Sequence, residues 1–277
     1  MVLLTKLQTF FFQTLDSTSN RAKELAEVHC GNFCVVSRRQ TGGRGRLGRK
    51  WLSPEGGGVY ISFCFDREGD ISSVPLKVAL LLCRWLLDSF GIVGTIKWPN
   101  DILCDGRKLA GILCEAINAG SNREVVVVGV GINIDIIDVS LEGVRPISLR
   151  DVCNKLLDPL ELSLSLRDYW NHYWKMICQQ PDWLKDYESY FRVVTDYWVR
   201  KTGDVGALFM RQSICADGSL ELRSLCSEKL LEPPKKIYSA THEFACLFRR
   251  EDRPSESNLL FVGFKQAEEL IFEAIFL

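Results

Sequence analysis

Between residues 14 and 135, short apolar runs rich in Val, Ile and Phe alternate with stretches whose apolar residues recur at helical spacing. Ala22, Leu25, Ala26 and His29 fall at i, i+3, i+4 and i+7 behind Asp16-Ser-Thr-Ser-Asn20, a cluster of candidate N-caps, so a helix with a narrow buried face is predicted. Phe33 to Ser37 and Val59 to Phe65 read as strands. A second helix opens at Ser72-Ser-Val-Pro75, with proline in its first turn, and closes at Gly91. Its only charges, Lys77, Arg84 and Asp88, mark a single solvent stripe, so the rest of its surface is predicted to be buried. Strands follow at Thr95 to Trp98, Leu109 to Glu115 and Val125 to Val130. The pattern predicts an α+β unit, a mixed β-sheet covered by helices.

Residues 148 to 191 read as helical, with Trp170, Tyr173, Trp174 and Ile177 on one periodic face. After Trp198 the character changes. Asp217-Gly218, between Ile214 and the alternating Leu220 and Leu222, signals a hairpin. Apolar runs at Phe244 to Phe248 and Leu259 to Phe264 complete a small β-rich unit. The expected boundary is near residue 195, giving a unit over 1–195 and a smaller one over 196–277.

The length of 277 residues agrees with this division. Lys+Arg 34 against Asp+Glu 35 leaves a net charge of -1, so no global field draws the chain to nucleic acid or an anionic membrane. Eleven cysteines, an odd number with no Cys-x-x-Cys pair, argue against a disulfide scaffold or a zinc site. Several stand in apolar runs, as Cys64 does, where a reduced thiol acts as a small buried hydrophobe and a reducing compartment is favoured. The longest apolar stretch, Val78 to Leu87, is broken by Arg84 and too short to span a bilayer. Met1 to Phe10 has no basic n-region or small-residue cleavage site, so the cytoplasm is the expected location, with the mitochondrion the alternative.

Charge becomes informative locally. The stretch Arg38-Arg-Gln-Thr-Gly-Gly-Arg-Gly-Arg-Leu-Gly-Arg-Lys-Trp51 holds six basic residues and four glycines, with no acidic residue between Glu27 and Glu55. Glycines let backbone N–H groups approach a phosphate, and arginine forks bind its oxygens in pairs. It is neither a Walker loop nor a dinucleotide fingerprint. A solvated basic loop, or an Arg/Gly segment touching nucleic acid, would present the same charges.

Two further clusters stand at strand ends. Lys97-Trp-Pro-Asn-Asp101 presents Asn100 and Asp101 where an apolar run stops, as ligand-facing groups or as a plain turn. Lys108 abuts the apolar Leu109 to Leu113, either serving a pocket or snorkelling from the edge of the core. Val125 to Val130 leads through Gly129 and Gly131 to Asn133, an amide able to meet a base edge.

Taken in order, Gly43-Arg-Gly-Arg-Leu-Gly-Arg-Lys-Trp51 with Ser53-Pro54, Lys97-Trp-Pro-Asn-Asp101, Arg107-Lys-Leu-Ala-Gly-Ile-Leu113 and Gly129-Val-Gly-Ile-Asn133 resemble the biotin protein ligases. The resemblance covers Leu15 to Asp135; the later helical and β-rich parts are similar in layout only. It implies a class II biotin/lipoate ligase-like catalytic domain with a small SH3-like C-terminal domain. It also implies a two-step reaction, in which biotin and Mg-ATP give biotinyl-5'-AMP and pyrophosphate, then a lysine of a biotin carboxyl carrier domain takes the biotinyl group. By carry-over, Lys108, Arg46 and Arg44 are the catalytic cations, with Lys108 bridging the biotin carboxylate and the α-phosphate. Ser17, Thr18, Ser19, Gln40, Gly43, Gly45, Gly111 and Leu113 join them around biotin. Arg49, Lys50, Trp51, Asn100, Asp101 and Asn133 join Arg46 and Lys108 around the nucleotide, with Mg2+ carried by ATP near Asp101 and no direct protein ligation.

The sequence departs from the family at Ser19, where many members have asparagine, and at Leu47, which replaces a basic residue of some bacterial members. Asp16-Ser-Thr18 lies close to the start, so no helix-turn-helix and no sequence-specific DNA binding are expected, nor a membrane partner; the state expected is monomer or homodimer. Lipoate–protein ligase, the enzymatic alternative, usually carries an Arg-Arg-x-Ser-Gly-Gly-Gly loop in place of Arg39-Gln-Thr-Gly-Gly-Arg-Gly-Arg46. A nucleic-acid-binding module, the non-enzymatic one, would interleave aromatics with its basic residues, but none stands between Phe33 and Trp51.

Overall fold

The protein is represented by a computed structural model that describes residues 7–119, 123–135, 146–191, 197–200, 208–217, 219–224, 235–237, 244–249 and 272–274. Seven strands form the first sheet: β1 (Gln8–Leu15), β2 (Phe33–Gln40), β3 (Gly58–Asp66), β4 (Thr95–Lys97), β5 (Asp101–Cys104), β6 (Arg107–Asn118) and β7 (Glu124–Asn133). Their spatial order is β1-β2-β3-β7-β6-β5-β4; β1 and β2 are parallel and every other pair is antiparallel, so the sheet is mixed as expected. Helix α1 (Thr18–Val28) makes the crossover between the parallel strands.

The run Val125 to Val128 is continuous because β7 lies mid-sheet, between β3 and β6, with both faces covered. Val125 and Val127 pack with Ala22 and Ala26 of α1, while Val126 and Val128 join the larger core beneath α2 (Val74–Phe90), α4 (Pro159–Gln179) and α5 (Trp183–Tyr190). A short α3 (Leu149–Cys153) precedes α4. Pro75 sits in the first turn of α2 and Gly91 ends it in the left-handed conformation at φ 68°, as the sequence predicts. Trp170 of α4 stacks on Phe63 of β3 at 3.9 Å between ring centroids. Burial pushes the Cys34 and Cys64 thiols up to about 11, so both remain protonated and behave as core hydrophobes.

Helix α1 is capped from a distance. Arg123, just before β7, donates from Nη1 to the carbonyls of Ala26 and His29 at 3.0 and 2.8 Å, and from Nε to Asp66 at 2.7 Å. Arg123→Ala is therefore expected to lower stability by about 1–3 kcal/mol, the loss of a charge-assisted cap. Urea unfolding monitored by circular dichroism measures this, and an unchanged midpoint would refute it.

The expectations need correction in places. β1 was not foreseen, because an edge strand with no fully buried residue shows neither alternation nor a buried run. β6 begins at Arg107 rather than Leu109 and ends at Asn118, which places Lys108 inside the strand. Asp101, expected after the end of the preceding strand, opens β5, and Ser17, at the N-cap of α1, makes no side-chain cap bond.

A second sheet comprises β8 (Tyr197–Arg200), β9 (Leu208–Ile214), β10 (Leu220–Ser224), β11 (Lys235–Ile237), β12 (Phe244–Arg249) and β13 (Phe272–Ala274), in the order β11-β10-β9-β8-β12-β13. The hairpin foreseen at Asp217 joins β9 to β10 with Leu220 opposite Ile214. The run Leu259 to Phe264 lies outside the described residues.

Candidate active site

One end of a cleft over the first sheet is built from hydroxyls. Ser17, Thr18 and Ser19 are buried where β1 turns into α1. The Thr18 backbone N–H and hydroxyl both donate to Gln40 Oε1, at 2.8 and 3.1 Å, and the Thr18 and Ser19 hydroxyls meet Ser62 Oγ at 2.8 and 3.0 Å. Gln40 Nε2 donates to Ser53 Oγ at 2.8 Å, which donates to the Trp51 carbonyl at 3.1 Å. The side chains of Thr18, Ser19, Gln40, Ser53 and Ser62 are all paired, so the network orients its groups. Ser62 was missed by the sequence reading; its signal is a lone hydroxyl within an otherwise apolar strand.

The glycine-arginine segment is folded, not loose. Thr41 and Gly42 donate to the carbonyls of Leu15 and Asp16, Trp51 N–H donates to the Gly43 carbonyl at 2.9 Å, and Gly45 N–H to that of Arg49 at 2.7 Å. A 3-10 turn over Arg46–Gly48 forms its tip. Arg38, Arg39, Arg49 and Lys50 are exposed, whereas Arg46 is half-buried. Arg46 Nη1 donates to Asn100 Oδ1 at 2.8 Å, and Asn100 Nδ2 donates to the Ile112 carbonyl at 3.0 Å. Burial lowers the Arg46 pKa while Asp101 opposes the shift; a guanidinium still stays protonated at neutral pH.

Lys108 completes the charged end. Its Nζ lies 2.8 Å from Asp101 Oδ1 and 5.4 Å from the centre of the Trp51 ring. Its carbonyl accepts from Ile147 N–H at 2.9 Å and Asn133 Nδ2 at 3.1 Å, which fixes the backbone that carries the ammonium. The Trp51 ring lies flat on the sheet over Gly111 and Gly131: a Cβ would stand 3.0 Å from the ring at the first and 2.4 Å at the second. Contact with the ring requires glycine at 131 and leaves little room for a side chain at 111.

The cleft gathers all but two of the residues singled out from sequence: Ser17, Thr18, Ser19, Gln40, Arg44, Gly45, Arg46, Arg49, Lys50, Trp51, Asn100, Asp101, Lys108, Gly111 and Leu113 line it. Gly43 stands behind the wall, packed against the Trp51 carbonyl and Ser53. Asn133 is also off the lining, both amide hydrogens being donated to the carbonyls of Lys108 and Ile147.

Residues 11–133 match the family model of the biotin/lipoate A/B protein ligase family. That stretch carries the hydroxyl network, the glycine-arginine segment, Lys108 and the glycine floor. The chain is 36% identical over 129 residues to the bifunctional ligase/repressor BirA of Bacillus subtilis, covering 45% of this chain and 40% of that relative. It is 33% identical over 156 residues to the biotin–[acetyl-CoA-carboxylase] ligase of Paracoccus denitrificans, covering 53% of this chain and 64% of that relative. The chain thus spans well under two-thirds of the first of these curated relatives and just under two-thirds of the second. Among solved structures, biotin protein ligase from Aquifex aeolicus in complex with biotin and ATP is similar with a TM-score of 0.68 and 27% identity, covering 86% of this chain and 97% of that one. The fold of the ligase region is that of the biotin protein ligase catalytic domain.

Proposed function

We propose that the chain is a biotin protein ligase, which activates biotin with ATP to biotinyl-5'-AMP and transfers the biotinyl group to a lysine of a biotin carboxyl carrier domain. One observation carries the reading. Adjacent residues, Asn100 and Asp101, each hold a cation from a different part of the chain, Arg46 and Lys108, at 2.8 Å, in a cleft whose other end is a paired hydroxyl and amide network. The first half-reaction forces a carboxylate oxygen onto the α-phosphorus as the bond to pyrophosphate breaks, and two anions meet only where fixed positive charge waits for them. Lys108 and Arg46 supply that charge, and Arg44 adds to it. Ser17, Thr18, Ser19 and Gln40 suit the ureido head of biotin, which needs full pairing once buried, with Gly45, Gly111 and Leu113 beside its apolar part. Arg49, Lys50, Trp51, Asn100 and Asp101 fall to the nucleotide; Gly43 and Asn133 act from behind, on the loop and on the Lys108 backbone.

Mg2+ fits as a companion of the nucleotide. Among the described residues no group of three or more His, Cys, Asp or Glu side chains could hold a metal, and Asp101 is the carboxylate in the cleft. This suits an ion that keeps phosphate and water ligands with one or two carboxylates. When bound it neutralises phosphate charge. In the second half-reaction the acceptor amine attacks the acyl carbon and AMP leaves, so the cleft must shield the anhydride from water meanwhile, a task for the glycine-arginine segment. Residues 1–195 form the catalytic part and residues 196–277 the accessory part in this reading. Among the described residues no helix is long and apolar enough to cross a membrane, and a cytoplasmic location accords with the reaction.

The test is pyrophosphate release by the purified chain with Mg-ATP and biotin, lipoate or no acid. Release with biotin alone is expected. Release with lipoate alone would transfer the assignment to lipoate–protein ligase, and release with neither would remove the enzymatic reading.

A further inference from the structure

Glu115, on β6, is a carboxylate that neither half-reaction uses. Lys23 of α1 lies 2.7 Å from its Oε1 and Arg44 of the glycine-arginine segment 3.2 Å from its Oε2, so one side chain joins the helix, the sheet and the loop. The Glu115 and Lys23 side chains are each only 25% exposed, which screens their pairing less than that of a surface pair. Arg44 is 41% exposed and, without a partner, would regain the rotamer freedom of a long solvated side chain. The base of the loop is held by backbone bonds from Thr41 and Gly42, and its tip by Arg46 on Asn100. The flank that carries Arg44 is paired along its backbone with Arg49 to Trp51, and its side-chain tie to the sheet runs through Glu115.

We infer that Glu115, charge-balanced by Lys23, is a positioning residue: it fixes the Arg44 side chain, ties the paired flank of the loop to the sheet over the cleft, and so sets how well the bound acid is retained. The inference rests on the ligase reading for its kinetic consequence and on the loop alone for its structural one. Glu115 stays out of contact with the reacting atoms, so its loss acts on binding more than on chemistry. The size is bounded by what a partly exposed ion pair contributes, about fivefold in an equilibrium.

The experiment compares the full chain with the Glu115→Gln, Arg44→Ala and doubly substituted variants. Two readouts are taken: hydrogen exchange of residues 41–52 without ligand, and pyrophosphate release against biotin concentration. Glu115→Gln is expected to speed exchange in the segment and raise KM for biotin about fivefold, with kcat changed by less than about twofold. The double variant is expected to be no worse than Arg44→Ala alone, because Glu115 acts through Arg44. Lys23→Met, which leaves the sheet and loop intact, is expected to shift KM in the same direction by less, and it carries the test if Glu115→Gln fails to fold. Unchanged exchange, an effect confined to kcat, or additivity with Arg44→Ala would each overturn the inference. Failure of the unsubstituted chain to release pyrophosphate with biotin would count against the ligase reading alone, since ligand-free exchange still decides whether Glu115 anchors the loop.

Discussion

Lys108→Ala is expected to slow adenylate formation by about a hundredfold or more while leaving the fold intact, the usual consequence of removing one fixed charge contact made in a transition state. Two features make the loss large. In the ligase reading the ammonium meets carboxylate and phosphate as they converge, and its removal takes from Asp101 the partner it holds at 2.8 Å. The fold should survive because the Lys108 side chain is 30% exposed and the strand is held through backbone bonds to β5 and β7. Single-turnover pyrophosphate release measures the step directly; a rate near that of the unsubstituted chain would remove Lys108 from the chemistry.

A comparably large effect is expected from a residue behind the cleft wall. In Gly43→Ala the new Cβ would stand 2.4 Å from the Trp51 carbonyl oxygen and 2.7 Å from Ser53 Oγ. The first of these is backbone and cannot swing aside. Relief requires opening the Trp51 N–H to Gly43 carbonyl bond that closes the loop, at a local cost of about 1–3 kcal/mol. The displaced strand carries Arg44 and Arg46 on one side and Trp51 on the other, so retention of biotinyl-5'-AMP should fall by at least about tenfold, in line with that cost. Stopped-flow measurement of adenylate dissociation tests this. Dissociation at the rate of the unsubstituted chain would show that the loop closes without the tight Gly43 contact.

Sequence and structure agree where a single physical cause dominates. Pro75 and Gly91 punctuate α2, and Val125 to Val128 is apolar throughout because both faces of β7 are covered. The glycine-arginine segment, Lys97 to Asp101 and Lys108 announce a shared cleft because their residue types are costly to explain otherwise. Partnership across the sheet was illegible. Asn100 appears in sequence as a turn residue or a ligand contact, yet its side chain joins Arg46 to the Ile112 carbonyl. Asn133 suggests a base contact, and its amide hydrogens pin the carbonyls of Lys108 and Ile147. Gly43 suggests close approach to biotin, and the close approach visible in the structure is to the protein's own backbone. β1 escaped notice because three consecutive phenylalanines on a half-exposed edge have no period.

The strand order also governs how the molecule comes into being. β3 finds its partner β7 with Gly58 opposite Asn133, so the middle of the sheet closes only after a long excursion of chain. On the ribosome, β1, α1, β2 and β3 emerge first and wait with one edge open, and the valine-rich strand that seals them follows much later. Lys108 and the floor glycines arrive within that same delayed stretch. Small-molecule substrates therefore meet a cleft that exists only once the hardest pairing has been made, and cannot nurse the nascent chain through the interval in which its apolar edge is bare.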